Sequence, residues 1–333
     1  MRIRLVPLLA LLVGAPWAAP AVTLPPELVP IGAPGNAPDA GNLGAVDYVF
    51  EIGKYEVTNA QYAAFLNAVA KEDYTGLWSF SQGSNPAGGI EISGSPGSWV
   101  YTVKEGFADK PVVFVSFLAA LRFANWLHHG MPTGPAAAAL VEKGSYDLSA
   151  DEPLERLPRA TWVIPHRHEW YKAAYYHPPD ALGGAAWFDY ATRSNVAPTQ
   201  ATCAADGTVA NPGANVAVYG QTCNWNGTTT GNFADVGTAG GPSAFGTYDQ
   251  TGNAQEMVAR YEYPGVLLVG GGTQDTGDVS ASYVAGIAAN DANGARGFRV
   301  AYLPEPAAAP AAALLALAAL RARRAGRPVR RRP

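Results

Sequence analysis

Glycine and proline, 37 and 27 of the 333 residues, interrupt this sequence so often that few windows are long enough for helical periodicity. Three helices are predicted. Thr58-Asn59-Ala60-Gln61 is a capping box, after which Tyr62, Phe65, Leu66 and Val69 recur at the spacing of one helix face. Ser116 caps a second helix whose inner face is Ala120, Phe123, Ala124 and Leu127. Pro165 opens a third, with Trp170, Ala173 and Ala174 on one side. Short apolar runs at positions 112–115 and 266–269, set between Gly-rich turns, predict strands. The expected fold class is therefore α+β: loop-rich, with few short helices and mixed short strands. Its core must hold many of the 16 Tyr and 8 Trp. No internal repeat is visible, which excludes a solenoid.

The two ends carry sorting chemistry. Arg2 and Arg4, an apolar run at 5–13 and Ala19-Pro20-Ala21 predict a signal peptide over 1–21. Pro304-Glu305-Pro306 precedes an Ala/Leu stretch at 307–320 and then seven arginines, from Arg321 to Arg332. An apolar segment backed by cations is a stop-transfer element with its basic end on the cytoplasmic side. The whole of 303–333 resembles a PEP-CTERM sorting signal. That resemblance implies a Gram-negative bacterium, transient inner-membrane anchoring and processing by an exosortase as partner. An exported protein of the cell envelope or exterior is expected, with one domain over 22–302.

All 27 acidic residues lie in positions 22–306, whereas nine of the 23 basic ones sit in the two ends. The part between leader and tail thus holds 14 basic against 27 acidic residues, a net charge of −13. A surface of that sign repels phosphate backbones, so no nucleic acid is expected as a partner. Acidity of this kind suits calcium. The two cysteines, Cys203 and Cys223, share one Gly/Asn/Thr-rich stretch. In an oxidising compartment such a pair is expected to form a disulfide closing a surface loop. Closing about 20 residues contributes about 3 kcal/mol by the chain-entropy account.

Six short motifs follow one another in a recognisable order: Lys54 to Asn59; Pro111-Val112-Val113 leading to Ser116-Phe117; Ile164-Pro165 to Glu169-Trp170; Phe245 to Asn253; Gly271-Gly272-Thr273; and Gly297-Phe298-Arg299. The series resembles the formylglycine-generating enzyme, or sulfatase-modifying factor, family over roughly residues 28–302. The resemblance implies a variant of the C-type lectin fold. In that family a GGS-type turn precedes two cysteines that bind copper and oxidise a substrate cysteine. Matching Gly271-Gly272-Thr273 to the turn places Thr276 and Ala281 at those cysteines. Neither supplies a thiolate, so copper and formylglycine-generating catalysis are not expected. The Arg usual before the glycine pair is Gly270 here, and the aromatic after it is Gln274. A sister branch makes sulfur-containing histidine derivatives with a non-haem iron held by an added N-terminal domain. Here the first family motif follows soon after the leader, so that activity is not expected either.

The resemblance also implies a structural calcium, held by the Asp249 side chain, the Gly252 and Ala254 carbonyls and the Glu256 carboxylate. The alternative is a turn before a short helix, with Asp249 capping and Glu256 solvated. A second family site would begin at Asn215-Val216, where the insertion carrying Cys203 and Cys223 blurs the correspondence. Of the five histidines, His166 and His168 are two apart, unlike the i, i+4 pairing metals use on helices. His128 and His129 sit at a helix end, where a cation is favourable, and His177 precedes two prolines. No Gly-x-Ser-x-Gly elbow marks a hydrolase. Two functions then compete: an exported non-catalytic module binding an extracellular glycan or protein, and an oxidoreductase with altered active-site chemistry.

Overall fold

The computed structural model describes residues 22–304, without 73–75, 151–153, 180–182, 185, 261–264, 293 and 295. The leader and nearly all of the sorting tail lie outside the described residues. Among the described residues no helix is long and apolar enough to cross a membrane.

The chain opens with β1 (Leu28–Ile31), β2 (Phe50–Gly53), α1 (Asn59–Val69), α2 (Phe80–Ser84), β3 (Ile90–Ser93) and β4 (Val100–Val103). Then come α3 (Phe117–His128), α4 (Ala137–Leu140), β5 (Trp162–Val163), α5 (Arg167–Tyr175), β6 (Tyr176–His177), β7 (Ala186–Trp187), β8 (Thr199–Gln200) and β9 (Val216–Ala217). The last third is all strand: β10 (Gln255–Ala259), β11 (Val266–Val269), β12 (Val284–Ile287), β13 (Arg296–Gly297) and β14 (Ala301–Tyr302). The expected α+β class, with few short helices and many short strands, is what forms.

Local chemistry explains the helix starts. Thr58 Oγ1 accepts from the Gln61 N–H at 3.3 Å, while Gln61 Oε1 accepts from the Thr58 N–H at 3.0 Å. Ser116 Oγ accepts from the Ala119 N–H at 3.2 Å. The third helix starts later than predicted. Pro165 stays outside it, His166 is the cap, and Glu169 Oε2 accepts the His166 N–H at 2.6 Å. The predicted strand at 112–115 is absent, because Phe114 adopts φ 59°, outside the β region. That kink sends Val113 and Phe114 to a small cluster with Phe233 and Ala254.

Two four-stranded sheets frame the molecule. One runs β1-β2-β14-β5, antiparallel throughout, so the last described strand pairs with the second. The other runs β12-β11-β10-β13, with β13 parallel to β10. Helices α1 and α3 supply the main core. Phe65 and Phe123 lie 5.4 Å apart edge to face, and Phe298 meets Phe123 at 5.6 Å. Each such ring removes enough apolar surface from water to contribute about 1.5–3 kcal/mol. The Cys203–Cys223 disulfide forms, with its Cα atoms 4.6 Å apart. Its loop is more than a surface closure, since Cys223 is fully buried in a second cluster with Phe107, Val218 and Trp225.

Candidate functional site

The segment after β11 turns on Gly270 and Gly271, both at positive φ. A Cβ on Gly271 would stand 2.5 Å from Val279 Cγ1, so only glycine fits the turn. The turn directs residues 272–275 against β10 and leaves a groove of about 110 Å³, lined by Gln255, Gly272, Thr273, Gln274, Asp275, Gly294 and Arg296. Thr276 is exposed, and Ala281 is half-buried against the cluster containing Trp170 and Tyr175. The residues flanking those two positions close on each other instead. Gln255 Nε2 donates to Asp275 Oδ2 at 2.8 Å and to the Tyr283 hydroxyl at 2.5 Å. Asp275 Oδ2 also accepts the Gly272 N–H at 2.7 Å. Burial and the Asp275 charge raise the Tyr283 pKa, so its hydroxyl stays protonated. Arg296 is engaged by Asp291 at 2.5 Å. The groove offers amides, a carboxylate and a paired arginine, and no thiol.

Beneath this groove lies a buried charge cluster that the sequence only half announces. Arg299, wholly buried, donates through Nε to Glu256 Oε2 at 2.7 Å and through Nη2 to Glu256 Oε1 at 2.6 Å. Its other N–H groups reach the Gly53, Lys54 and Tyr248 carbonyls. Trp170 Nε1 adds a third bond to Glu256 Oε2 at 2.9 Å. Glu56, missed in the sequence, is buried alongside and accepts from the Ala254 N–H at 3.1 Å. Burial raises its pKa well above the ordinary carboxylate value, and the Asp249 and Glu256 charges raise it further. Burial likewise raises Asp249, against the pull of the Gly237 N–H and of Arg299. The readable signal was a charge between two large or apolar neighbours: Arg299 between Phe298 and Val300, Glu56 between Tyr55 and Val57.

This arrangement bears on calcium. Asp249 and Glu256 do share one buried region with Gly252 and Ala254 near them in the chain. Glu256 sits on β10, however, and is neither solvated nor followed by a helix. Both of its oxygens are held by Arg299, and Asp249 Oδ2 takes the Gly237 N–H at 2.5 Å. What remains for a cation is one Asp249 oxygen and two carbonyls, short of the six to eight oxygens calcium takes. The four groups therefore do not fit the ion as a set. Asn215 is spent elsewhere, its carboxamide bonding Thr192, Ser194 and Val196, while Val216 lies on β9. Among the described residues no group of three or more His, Cys, Asp or Glu is placed to hold a metal.

Helix α5 carries a second buried ion pair. Arg156 grips Glu169 through both Nη atoms, at 2.8 and 2.7 Å, and Tyr48 donates to the same carboxylate. Burial alone would raise Glu169, but Arg156 outweighs it and brings the pKa down to about 2. His166 is held down to about 4 by burial and Arg156. At the end of α3, burial and then His129 lower the His128 pKa, so the predicted helix-end cation is disfavoured there. His128 Nδ1 instead pairs with Thr161 Oγ1 at 2.7 Å.

The motif order, the two sheets and the glycine turn over β10 together define a sulfatase-modifying-factor scaffold of the C-type lectin type. The sulfatase-modifying factor enzyme 1-like domain (FGE-sulfatase) matches residues 44–302, and the chain belongs to that family. Solved structures are similar across most of the chain at low identity. CarF matches at 20% identity and TM-score 0.46, covering 84% of this chain and 99% of its own. Variable protein 1 of Treponema denticola matches at 18% and 0.47, covering 83% and 95%. PvdO from Pseudomonas aeruginosa matches at 19% and 0.42, covering 83% and 94%. No curated protein matches the chain.

Proposed function

We propose that this protein is an exported, non-catalytic member of the family, keeping the scaffold as a binding or structural module outside the cytoplasm. One observation carries the reading. The chain has only two cysteines, and they are joined to each other in a separate loop, so no thiol is left for oxidation chemistry. Thr276 and Ala281 stand where the resemblance puts the family's thiols. The Gln255–Asp275–Tyr283 contacts further support the reading, since they spend the groove's polar groups on one another. The disulfide is consistent with an oxidising compartment, and export through the leader with exosortase processing of the tail completes the proposal. An extracellular glycan or protein is the ligand class in view. The test is incubation of the purified domain with copper and a sulfatase-motif peptide, read by mass spectrometry. No formylglycine is expected. Conversion well above a no-protein control would overturn the reading in favour of an oxidoreductase with altered chemistry.

A further inference from the structure

Outside the groove, the molecule keeps a cleft of about 520 Å³ at the start of α5, between residues 41–43, the first turn of the helix and strands β11 and β12. A surface of a different kind covers the other sheet. Its register sets Pro30 beside Glu51, Glu51 beside Tyr302 and Tyr302 beside Trp162, one row across all four strands. The adjoining row runs through Ile52, Ala301 and Val163, all fully buried. Successive side chains of a strand point to opposite faces, so the row ending in Trp162 points outward. On it the Trp162 and Tyr302 rings meet edge to face, their centroids 5.3 Å apart and each ring half-buried.

The course of the chain indicates what covers these rings. The Leu303 N–H donates to the Thr161 carbonyl at 2.7 Å, which pins the end of the domain beside Trp162. The apolar stretch at 307–320 begins five residues beyond Tyr302. Five residues reach at most about 18 Å when fully extended. The stretch is also short, since fourteen residues in a helix rise about 21 Å against about 30 Å of hydrocarbon. A segment shorter than the bilayer draws its flanks towards the headgroups. On the cytoplasmic side arginines can snorkel. On the other side the nearest described residues are Tyr302 and Leu303. Tryptophan and tyrosine favour headgroup depth, where the ring is in apolar surroundings and the N–H or O–H is wet. Arg159, three residues before Trp162, is exposed and offers a lipid phosphate a guanidinium.

We propose that the Trp162–Tyr302 side of this sheet docks the domain on a phospholipid surface while the tail is attached. The two rings and Leu303 enter the headgroup layer, and Arg159 takes a phosphate. Glu51 stands on β2, on the side of Tyr302 away from Trp162. A carboxylate gains nothing among phosphates, so β5 and β14 lie against the lipid while β1 and β2 tilt away. Between leader and tail, 27 acidic residues face 14 basic ones, so the domain has no net attraction to anionic lipid. The short tether therefore maintains the contact, and cutting the tail releases the domain. This docking rests on the exported reading, because only that reading puts the tail in a membrane.

The experiment reconstitutes residues 22–333 into phosphatidylcholine vesicles, with and without acyl chains brominated near the headgroup, and records tryptophan fluorescence. Bromine quenches only rings at membrane depth. The parent is expected to be quenched, and Trp162→Phe to lose most of that quenching. Tyr302→Ser keeps the reporter and is expected to weaken quenching at least about twofold. Both variants are expected to melt close to the parent temperature, since both rings lie on the outer face. Quenching that persists in Trp162→Phe, or none in a parent that floats with the vesicles, would overturn the docking and leave the exported reading standing. A dimer that Trp162→Phe dissociates would overturn it by assigning the face to a second copy. A parent that does not float with the vesicles overturns the tail anchor, and this docking with it.

Discussion

The groove after β11 and the cleft at the start of α5 open beside the same sheet, yet they treat polar atoms in opposite ways. In the groove, Gln255, Asp275 and Tyr283 hydrogen-bond one another, and Arg296 has its own carboxylate in Asp291. Beneath it, every N–H of Arg299 has an acceptor. At the cleft, Arg167 and Arg260 both line the wall, and Asp39 accepts from the Gly41 and Leu43 N–H groups and the Tyr171 hydroxyl while its charge also favours the charged form of Arg167. A polar network that is satisfied from within holds structure together. The difference is that the groove's network closes on itself, whereas the cleft keeps Arg167 Nε buried without a hydrogen-bond partner.

Three measurements break or sharpen that contrast. The largest effect is expected beneath the groove. Arg299→Met leaves Glu256, Glu56 and Asp249 without a counter-charge, and urea unfolding should show a loss of about 3–5 kcal/mol. A loss below about 1 kcal/mol would show that these carboxylates do not depend on the guanidinium.

The next effect concerns acid. Glu169 has a folded pKa of about 2, below its unfolded value of about 4.3. Its contribution is therefore complete above about pH 5 and is lost as the pH falls towards 2, about 3 kcal/mol in all. Stability measured across that range should fall in the parent and fall less in Glu169→Gln. Parallel curves would mean that the Arg156 pair does not set the acid limb.

The smallest effect is expected from calcium. Because Arg299 occupies both oxygens of Glu256, adding calcium or a chelator should leave the melting temperature unchanged. A site filled at a hundred times its Kd would instead add about 2.7 kcal/mol, a shift of several degrees. A shift of that size would mean that Glu256 exchanges Arg299 for the ion.

How far the sequence could be read depended on the range of the forces involved. The capping box that starts α1 and the serine cap that starts α3 are written within four residues, and both helices begin where Thr58 and Ser116 place them. Strand β11 was legible in the same way. The expected strand at 112–115 was not, because the positive φ of Phe114 answers to the packing of Phe233 and Ala254 rather than to local propensity. Glu56 and Arg299 stood in motifs already noticed, but their burial became visible only when β2, β10 and the C-terminal strands came together. The cleft was invisible, being assembled from residues 41–43, 167–168, 260, 267 and 284–286.

By itself, then, the sequence determined what single residues and short windows can decide. It showed which helices start where, that the two cysteines are a pair, that Thr276 and Ala281 carry no thiol, and the family order of the motifs. Tertiary structure alone decided the fate of the charges. Whether a carboxylate meets a cation, a guanidinium or water is a property of its surroundings, and those are built from segments far apart in the chain. Glu256 was linked to calcium by the family resemblance and is paired with Arg299 by its neighbours in space.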